Sequence, residues 1–136
     1  MIIIYRKIRE MKTYLILLCL ITLGCNSIDH IDDLTVYNNL KEERVEIIFG
    51  PDENYQPDLK PVTGNNGKIY YQTFIEPGQI AKVGTVKRNY VPHADDLYVN
   101  YIELRYAGDT IILKGKKAIY TSFYNDEGKF WRYKVK

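Results

Sequence analysis

From Leu34 onward, short apolar runs rich in Val, Ile, Tyr and Thr alternate with clusters of Gly, Pro and Asn. β-Branched and aromatic residues favour strands, whereas Gly, Pro and Asn favour turns. In the run Val45–Phe49, the residues Val45, Ile47 and Phe49 fall on one face of an extended chain. No part of this region keeps the period of an amphipathic helix over several turns. The pattern predicts an all-β fold for residues 34–136: a small antiparallel β-sandwich, immunoglobulin-like or related, with a small open barrel as the alternative.

Turn signals divide this region into short segments. The Gly-Asn-Asn-Gly sequence at 64–67 predicts a turn, Pro77-Gly78 suits the centre of a type II turn, and 125–128 predicts a hairpin. Residues 52–66, which include Pro57 and Pro61, predict a long loop. The expected strands are 34–37, 45–49, 69–76, 79–87, 97–106, 110–114, 117–124 and 130–135.

The N-terminal segment has the composition of an export signal. Residues 14–23 are almost wholly apolar, and Arg6, Lys7, Arg9 and Lys12 precede them or flank their start. This apolar run is well short of the ~20 residues that span a bilayer, but it suits the core of a signal peptide. We therefore expect a signal peptide over residues 1–24, and Met11 as the preferred initiator.

The end of the apolar run, Thr22-Leu23-Gly24-Cys25, resembles the lipobox of bacterial lipoproteins. The resemblance implies that the Cys25 thiol is acylated with diacylglycerol and that the leader is cut before it. Leu23 and Thr22 depart from the commonest pattern, so a freely secreted protein and an uncleaved anchor are the alternatives. Residues 25–33 then form a lipidated, polar, acidic tether. The expected location is the bacterial cell envelope, at the outer membrane or cell surface, with the periplasmic side as the alternative.

The charge of the predicted domain argues against nucleic acid as a partner. From Cys25 on, the chain has 15 Lys and Arg residues and 16 Asp and Glu residues, a net charge of −1. Affinity for nucleic acid depends mainly on excess positive charge, which this region lacks.

Few residues can support catalysis or hold a metal. No cysteine follows Cys25, which excludes an internal disulfide and a cysteine-based metal site in the domain. The histidines are His30, in the predicted tether, and His93, in a loop beside Asp95 and Asp96. Neither position predicts a nucleophile–base pair or a metal site. We expect no cofactor.

Paired carboxylates for glycoside cleavage would have to come from Glu46, Glu76, Glu103 and Asp109. Each of these falls where a solvent-facing strand or turn residue is expected. The sequence therefore predicts that the protein is not an enzyme.

The aromatic residues are the remaining candidates for a binding site. Adjacent strand residues face opposite ways, so if Tyr71 points inward, Tyr70 points outward. Tyr70, Tyr101 and Trp131 are weak candidates for such exposed rings, which can stack on sugars or anchor a protein. Tyrosine is also a good strand former, so a purely structural role is the alternative.

These observations together favour a membrane-anchored envelope lipoprotein that binds a protein or glycan partner without catalysis. The alternative is a structural or accessory component of an envelope assembly.

Overall fold

The computed structural model describes residues 30–125 and 130–136. The predicted leader and Cys25 lie outside these residues, as does most of the predicted hairpin turn at 125–128. The described residues form two packed β-sheets, which confirms the predicted all-β sandwich. The first sheet has the order β5-β1-β9-β8, where the strands are β1 (Ile31–Asn38), β5 (Ile80–Lys87), β8 (Tyr124–Asn125) and β9 (Phe130–Val135). The second has the order β3-β4-β2-β6-β7, where they are β2 (Val45–Phe49), β3 (Lys60–Thr63), β4 (Ile69–Ile75), β6 (Tyr101–Tyr106) and β7 (Asp109–Lys114).

The first sheet is not purely antiparallel. β1 pairs antiparallel with β5, but it pairs parallel with β9, with Leu34 opposite Trp131 and Asn38 opposite Val135. The pairings of the second sheet are all antiparallel among the described strands. The sandwich is thus antiparallel except where the first and last strands of the domain meet.

The core lies between the inner faces of the two sheets. Val45, Ile47 and Phe49 are buried there, as their alternation predicts. Burial of one large aliphatic or aromatic side chain contributes roughly 1.5–3 kcal/mol, so the core accounts for most of the stability that a domain without disulfides requires. The side chains buried almost completely include Leu34, Val36, Val83, Val86, Leu97, Ile102, Leu104, Ile119 and Phe123.

Two predicted turns are confirmed. The N–H of Gly67 donates to the carbonyl of Gly64 at 3.0 Å, which closes the turn between β3 and β4. Gly78 has a φ of 82°, the backbone conformation that a type II turn requires at its third residue. The N–H of Gln79 donates to the carbonyl of Glu76 at 3.0 Å and closes that turn.

Several element predictions are wrong in detail. Residues 117–124 were expected to form a strand, but Lys116–Phe123 form a helix, α1, which connects β7 of one sheet to β8 of the other.

The predicted loop 52–66 contains β3, a strand that pairs only with β4 among the described residues. Such an edge position tolerates Pro61, which has no N–H to donate. β1 begins at Ile31, so the sandwich takes up the end of the predicted tether. The run expected over 97–106 is a strand only from Tyr101.

Candidate functional site

A groove of about 1080 Å³ opens on the four-stranded sheet. Its residues come from β1, from the end of β5 and the segment after it, and from β8 and β9. Such a volume lies at the upper end of ligand-binding clefts, which are typically about 300–1,000 Å³. The groove is lined by Asp32, Asp33, Thr35, Lys87, Arg88, Asn89, Tyr90, Pro92, Tyr124, Trp131 and Arg132.

The floor of the groove is aromatic. Trp131 is only 6% exposed and packs against Tyr124, with ring centroids 5.0 Å apart. Tyr120 stacks on Tyr124 at 5.2 Å and meets the Trp131 ring edge-on at 5.7 Å. The Tyr120 hydroxyl also donates to the carbonyl of Pro92 at 3.3 Å. These contacts hold the floor in place and join it to the segment that follows β5.

The charged side chains of the groove are largely paired. Arg88 forms a two-pronged ion pair with Asp32, in which its Nε lies 3.1 Å from each carboxylate oxygen and an Nη also contacts the carboxylate. This hydrogen bonding raises the pKa of Arg88 above its ordinary value. Asp33 pairs with Lys82 at 2.8 Å. Arg132 donates from Nε to the hydroxyl of Thr35 at 3.3 Å.

The rim of the groove carries an unusually exposed ring. Tyr90 is fully exposed, and its neighbour Val91 is 57% exposed. The segment that holds them is tied to the start of the sandwich, since the Arg88 N–H donates to the His30 carbonyl at 2.7 Å. Because the Tyr90 ring is fully exposed, it buries no area in the fold and both of its faces are open beside the groove.

A second surface lies on the outer face of the five-stranded sheet. Tyr70 of β4 and Tyr101 of β6 meet there edge to face, with ring centroids 5.2 Å apart. Gly50, which follows β2, lies between these two strands, and its N–H donates to the Tyr101 carbonyl at 3.0 Å. The outward direction of Tyr70 is confirmed, since its neighbour Tyr71 packs inward against Phe49.

A row of polar side chains continues from Tyr101 across this face. The Tyr101 hydroxyl donates to Glu103 Oε2 at 2.6 Å, and Arg105 Nε donates to Glu103 Oε1 at 2.6 Å. Arg105 Nη1 lies 3.7 Å from Glu46 Oε1, which also accepts a hydrogen bond from Gln72. Burial, followed by the hydrogen bond and charge of Glu103, raises the pKa of Tyr101 to about 12.

The same face exposes apolar side chains. Phe74 is 46% exposed and lies opposite Glu46, and Ile112 is 56% exposed and lies opposite Glu103. The guanidinium of Arg44 covers the Phe74 ring at 4.5 Å from its centroid. This surface is therefore mixed, with ordered charges beside exposed carbon.

The residues singled out from the sequence separate into two groups. Tyr70 and Tyr101 come together on the five-stranded sheet, whereas Trp131 lies in the other sheet and is almost buried. Cys25 lies outside the described residues. Arg88, Tyr90 and Arg132 were missed. The polar, turn-rich composition of the segment after β5 was a signal for Arg88 and Tyr90, whereas Arg132 lies within β9.

The candidates for chemistry show no assembled centre. Glu46 and Glu103 both contact Arg105. Glu76 is exposed between β4 and the turn at Pro77-Gly78, and Asp109 is exposed at the start of β7. His93 is exposed, and its backbone N–H donates to the side chain of Asp96 at 2.8 Å. Within residues 30–125 and 130–136, no group of three or more His, Cys, Asp and Glu side chains could hold a metal ion.

The chain matches no model of a known protein family, no curated protein and no solved structure. In the part of the chain that the structure describes, no helix is long and apolar enough to cross a membrane.

Proposed function

We propose that the protein is a lipoprotein of the bacterial cell envelope, anchored through lipid on Cys25, that binds a protein or glycan partner without catalysis. The groove on the four-stranded sheet is its binding surface. The observation that carries this proposal is the fully exposed ring of Tyr90 beside a polar groove with an aromatic floor.

The arrangement of the carboxylates supports a role without catalysis. Glycoside cleavage, the reaction that these carboxylates would serve, needs two carboxyl groups that flank the scissile bond. Glu103 instead accepts hydrogen bonds from Tyr101 and Arg105, and Arg105 also contacts Glu46. These contacts form an ion-pair network on the face of a sheet.

The anchor is tested by the intact mass of the protein after expression in a bacterial host. In the wild type, residues 1–24 should be removed and a diacylglyceryl-sized mass should be added. Cys25→Ser should show neither change. Cleavage elsewhere, with no lipid added, would make the protein freely secreted or periplasmic.

The binding surface is tested by cross-linking in intact cells. A photoreactive phenylalanine analogue replaces Tyr90 in one variant and Phe74 in another. Both positions are exposed aromatics, so the two variants differ in where the probe lies: in the segment after β5 beside the groove, or on β4 of the five-stranded sheet. We expect a discrete cross-linked product from position 90 and none from position 74. No product from position 90 would remove the groove from the proposal.

The second candidate function is a structural or accessory role in an envelope assembly. It is favoured by the exposed Phe74 and Ile112 on the outer face of the five-stranded sheet and by β7, which pairs only with β6 among the described strands. An open strand edge beside an apolar face can accept a further chain. A ladder of cross-linked products from position 74 would support this alternative.

A further inference from the structure

We propose, building on the proposed binding role of the groove, that its ligand is a neutral oligosaccharide. The groove combines an exposed ring, planar polar side chains and nearly balanced charge, and each of these features narrows the chemistry of the ligand.

The charge of the lining argues against a strongly charged ligand. The cations Lys87, Arg88 and Arg132 line the same groove as the carboxylates Asp32 and Asp33. Arg88 is engaged by Asp32, and Asp33 is engaged by Lys82, which is not part of the lining. Arg132 is thus the arginine of the lining that no carboxylate engages among the described residues. Recognition of a phosphate or a polyanion instead requires several cations directed at it. The ligand that matches this lining carries little net charge.

The polar groups suit neighbouring hydroxyl groups. The only hydrogen bond of the Arg132 side chain to another described residue is from Nε to Thr35, which leaves the two Nη nitrogens to donate to a ligand. Asn89 is exposed and adds an amide that both donates and accepts. Two adjacent hydroxyls of a sugar ring present the paired donors and acceptors that such planar forks can hold.

The aromatic groups suit the apolar face of a sugar ring. Tyr90 is fully exposed at the rim, and Tyr124 and Trp131 lie in the lining below. A ring of this kind covers carbon-bound hydrogens while its hydroxyl stays in water. The groove volume of about 1080 Å³ leaves room for more than one sugar unit.

An extended peptide fits this groove less well. Peptides that bind β-sandwiches by strand addition need an open strand edge. Asp32, Asp33 and Thr35 belong to β1, which is hydrogen-bonded to β5 on one side and to β9 on the other. The main chain of β1 therefore has no edge to offer, and the edge strands β5 and β8 reach the lining only with their terminal residues Lys87 and Tyr124.

The test is calorimetric titration of the full chain in detergent with neutral hexasaccharides of glucose, mannose, galactose, xylose and N-acetylglucosamine. We expect at least one to bind, with an affinity that changes little with salt. Tyr90→Ala should weaken binding by about tenfold, which is the loss expected for an aromatic contact residue. Arg132→Gln should weaken it as well. Phe74→Ala is the matched control, since it removes an exposed ring from the other sheet and should leave binding unchanged.

Three results would overturn the inference. The first is no binding of any hexasaccharide in the panel, and the second is binding that Phe74→Ala abolishes but Tyr90→Ala does not. For the third, sulfated and uronic acid hexasaccharides are titrated in parallel with the neutral panel, and binding restricted to these charged sugars, with strong dependence on salt, would contradict a neutral ligand. If the panel fails while position 90 still cross-links in cells, the groove binds a ligand of another class and the proposed function stands. If both fail, the proposed function fails with it.

Discussion

The carboxylate of Asp52 accepts hydrogen bonds from both the backbone N–H and the hydroxyl of Thr85, at 2.7 and 2.8 Å. Asp52 follows β2 of one sheet, and Thr85 belongs to β5 of the other. Both residues are buried, and the Asn54 N–H donates to the same carboxylate at 2.8 Å. This carboxylate therefore joins the two sheets, and it supplies the acceptor that the buried N–H and hydroxyl of Thr85 require.

Replacing this carboxylate should destabilise the fold. Asp52→Ala leaves the buried donors of Thr85 without an acceptor, which we expect to lower the free energy of unfolding by about 3 kcal/mol. Urea denaturation measures the change. Asp58→Ala is the control, because Asp58 is exposed and its loss should change stability by less than about 0.5 kcal/mol. Equal effects of the two substitutions would contradict the structural role of Asp52.

Asn38 should be more important for stability than its neighbour Asn39. The Asn38 side-chain amide donates to the carbonyls of Glu43 and Ile75, at 2.8 and 3.0 Å, and its oxygen accepts from the Leu40 N–H at 3.0 Å. Asn38→Ala breaks three hydrogen bonds in a fully buried place and should cost about 2–3 kcal/mol. Asn39→Ala changes an exposed residue and should cost little. Thermal unfolding of the two variants side by side decides the matter.

Helix α1 should contribute to the core through Ile119. This side chain is fully buried, so Ile119→Ala should lower the free energy of unfolding by about 2–4 kcal/mol through lost packing. Ile112→Ala removes the same atoms from a side chain that is 56% exposed, and we expect a much smaller loss. If the two isoleucines contribute alike in chemical denaturation, the segment is not packed as a helix against the core.

Tyr101 should make the fold sensitive to alkali. Its pKa is raised from 10.0 to about 12 in the folded protein. The stability that its protonated form contributes to the fold is therefore fully present below pH 10 and is lost as the pH rises through about 12. Between these values the unfolded chain loses a proton that the folded chain retains, and stability falls. Tyr101→Phe should flatten this fall and remove a late step from the absorbance titration of the tyrosines. Tyr90→Phe should leave the fall in stability unchanged, because Tyr90 contacts none of this polar row.

The sequence was enough to predict the β-sandwich, but it was not enough to predict helix α1. Ile119 and Phe123 are four residues apart, and such a pair lies on one side of a helix and also on one side of a strand. Over eight residues rich in Ile, Tyr, Thr and Phe, the composition favoured a strand. The helix forms because it carries Ile119 and Phe123 into the core where the chain crosses between the sheets, which is a tertiary effect.

The candidate site was less predictable than the fold. The direction of Tyr70 followed from strand alternation, but its contact with Tyr101 depends on the sheet order, which places the end of β2 between them. The groove combines Asp32, Tyr90 and Arg132 from three separate segments. Local sequence patterns carry no information about such long-range contacts, because the contacts form only when strands distant in the sequence pair.

The parallel pairing of β1 with β9 has a consequence for the timing of folding. A chain that emerges with its N-terminus first presents β1 long before its neighbour β9 exists, and Trp131 and Val135 of the core arrive last of all. Closing a loop of nearly the whole domain is slow and costly in entropy. The first sheet therefore cannot be completed until β9 has been synthesised, and Leu34 of β1 lacks its neighbour Trp131 until then.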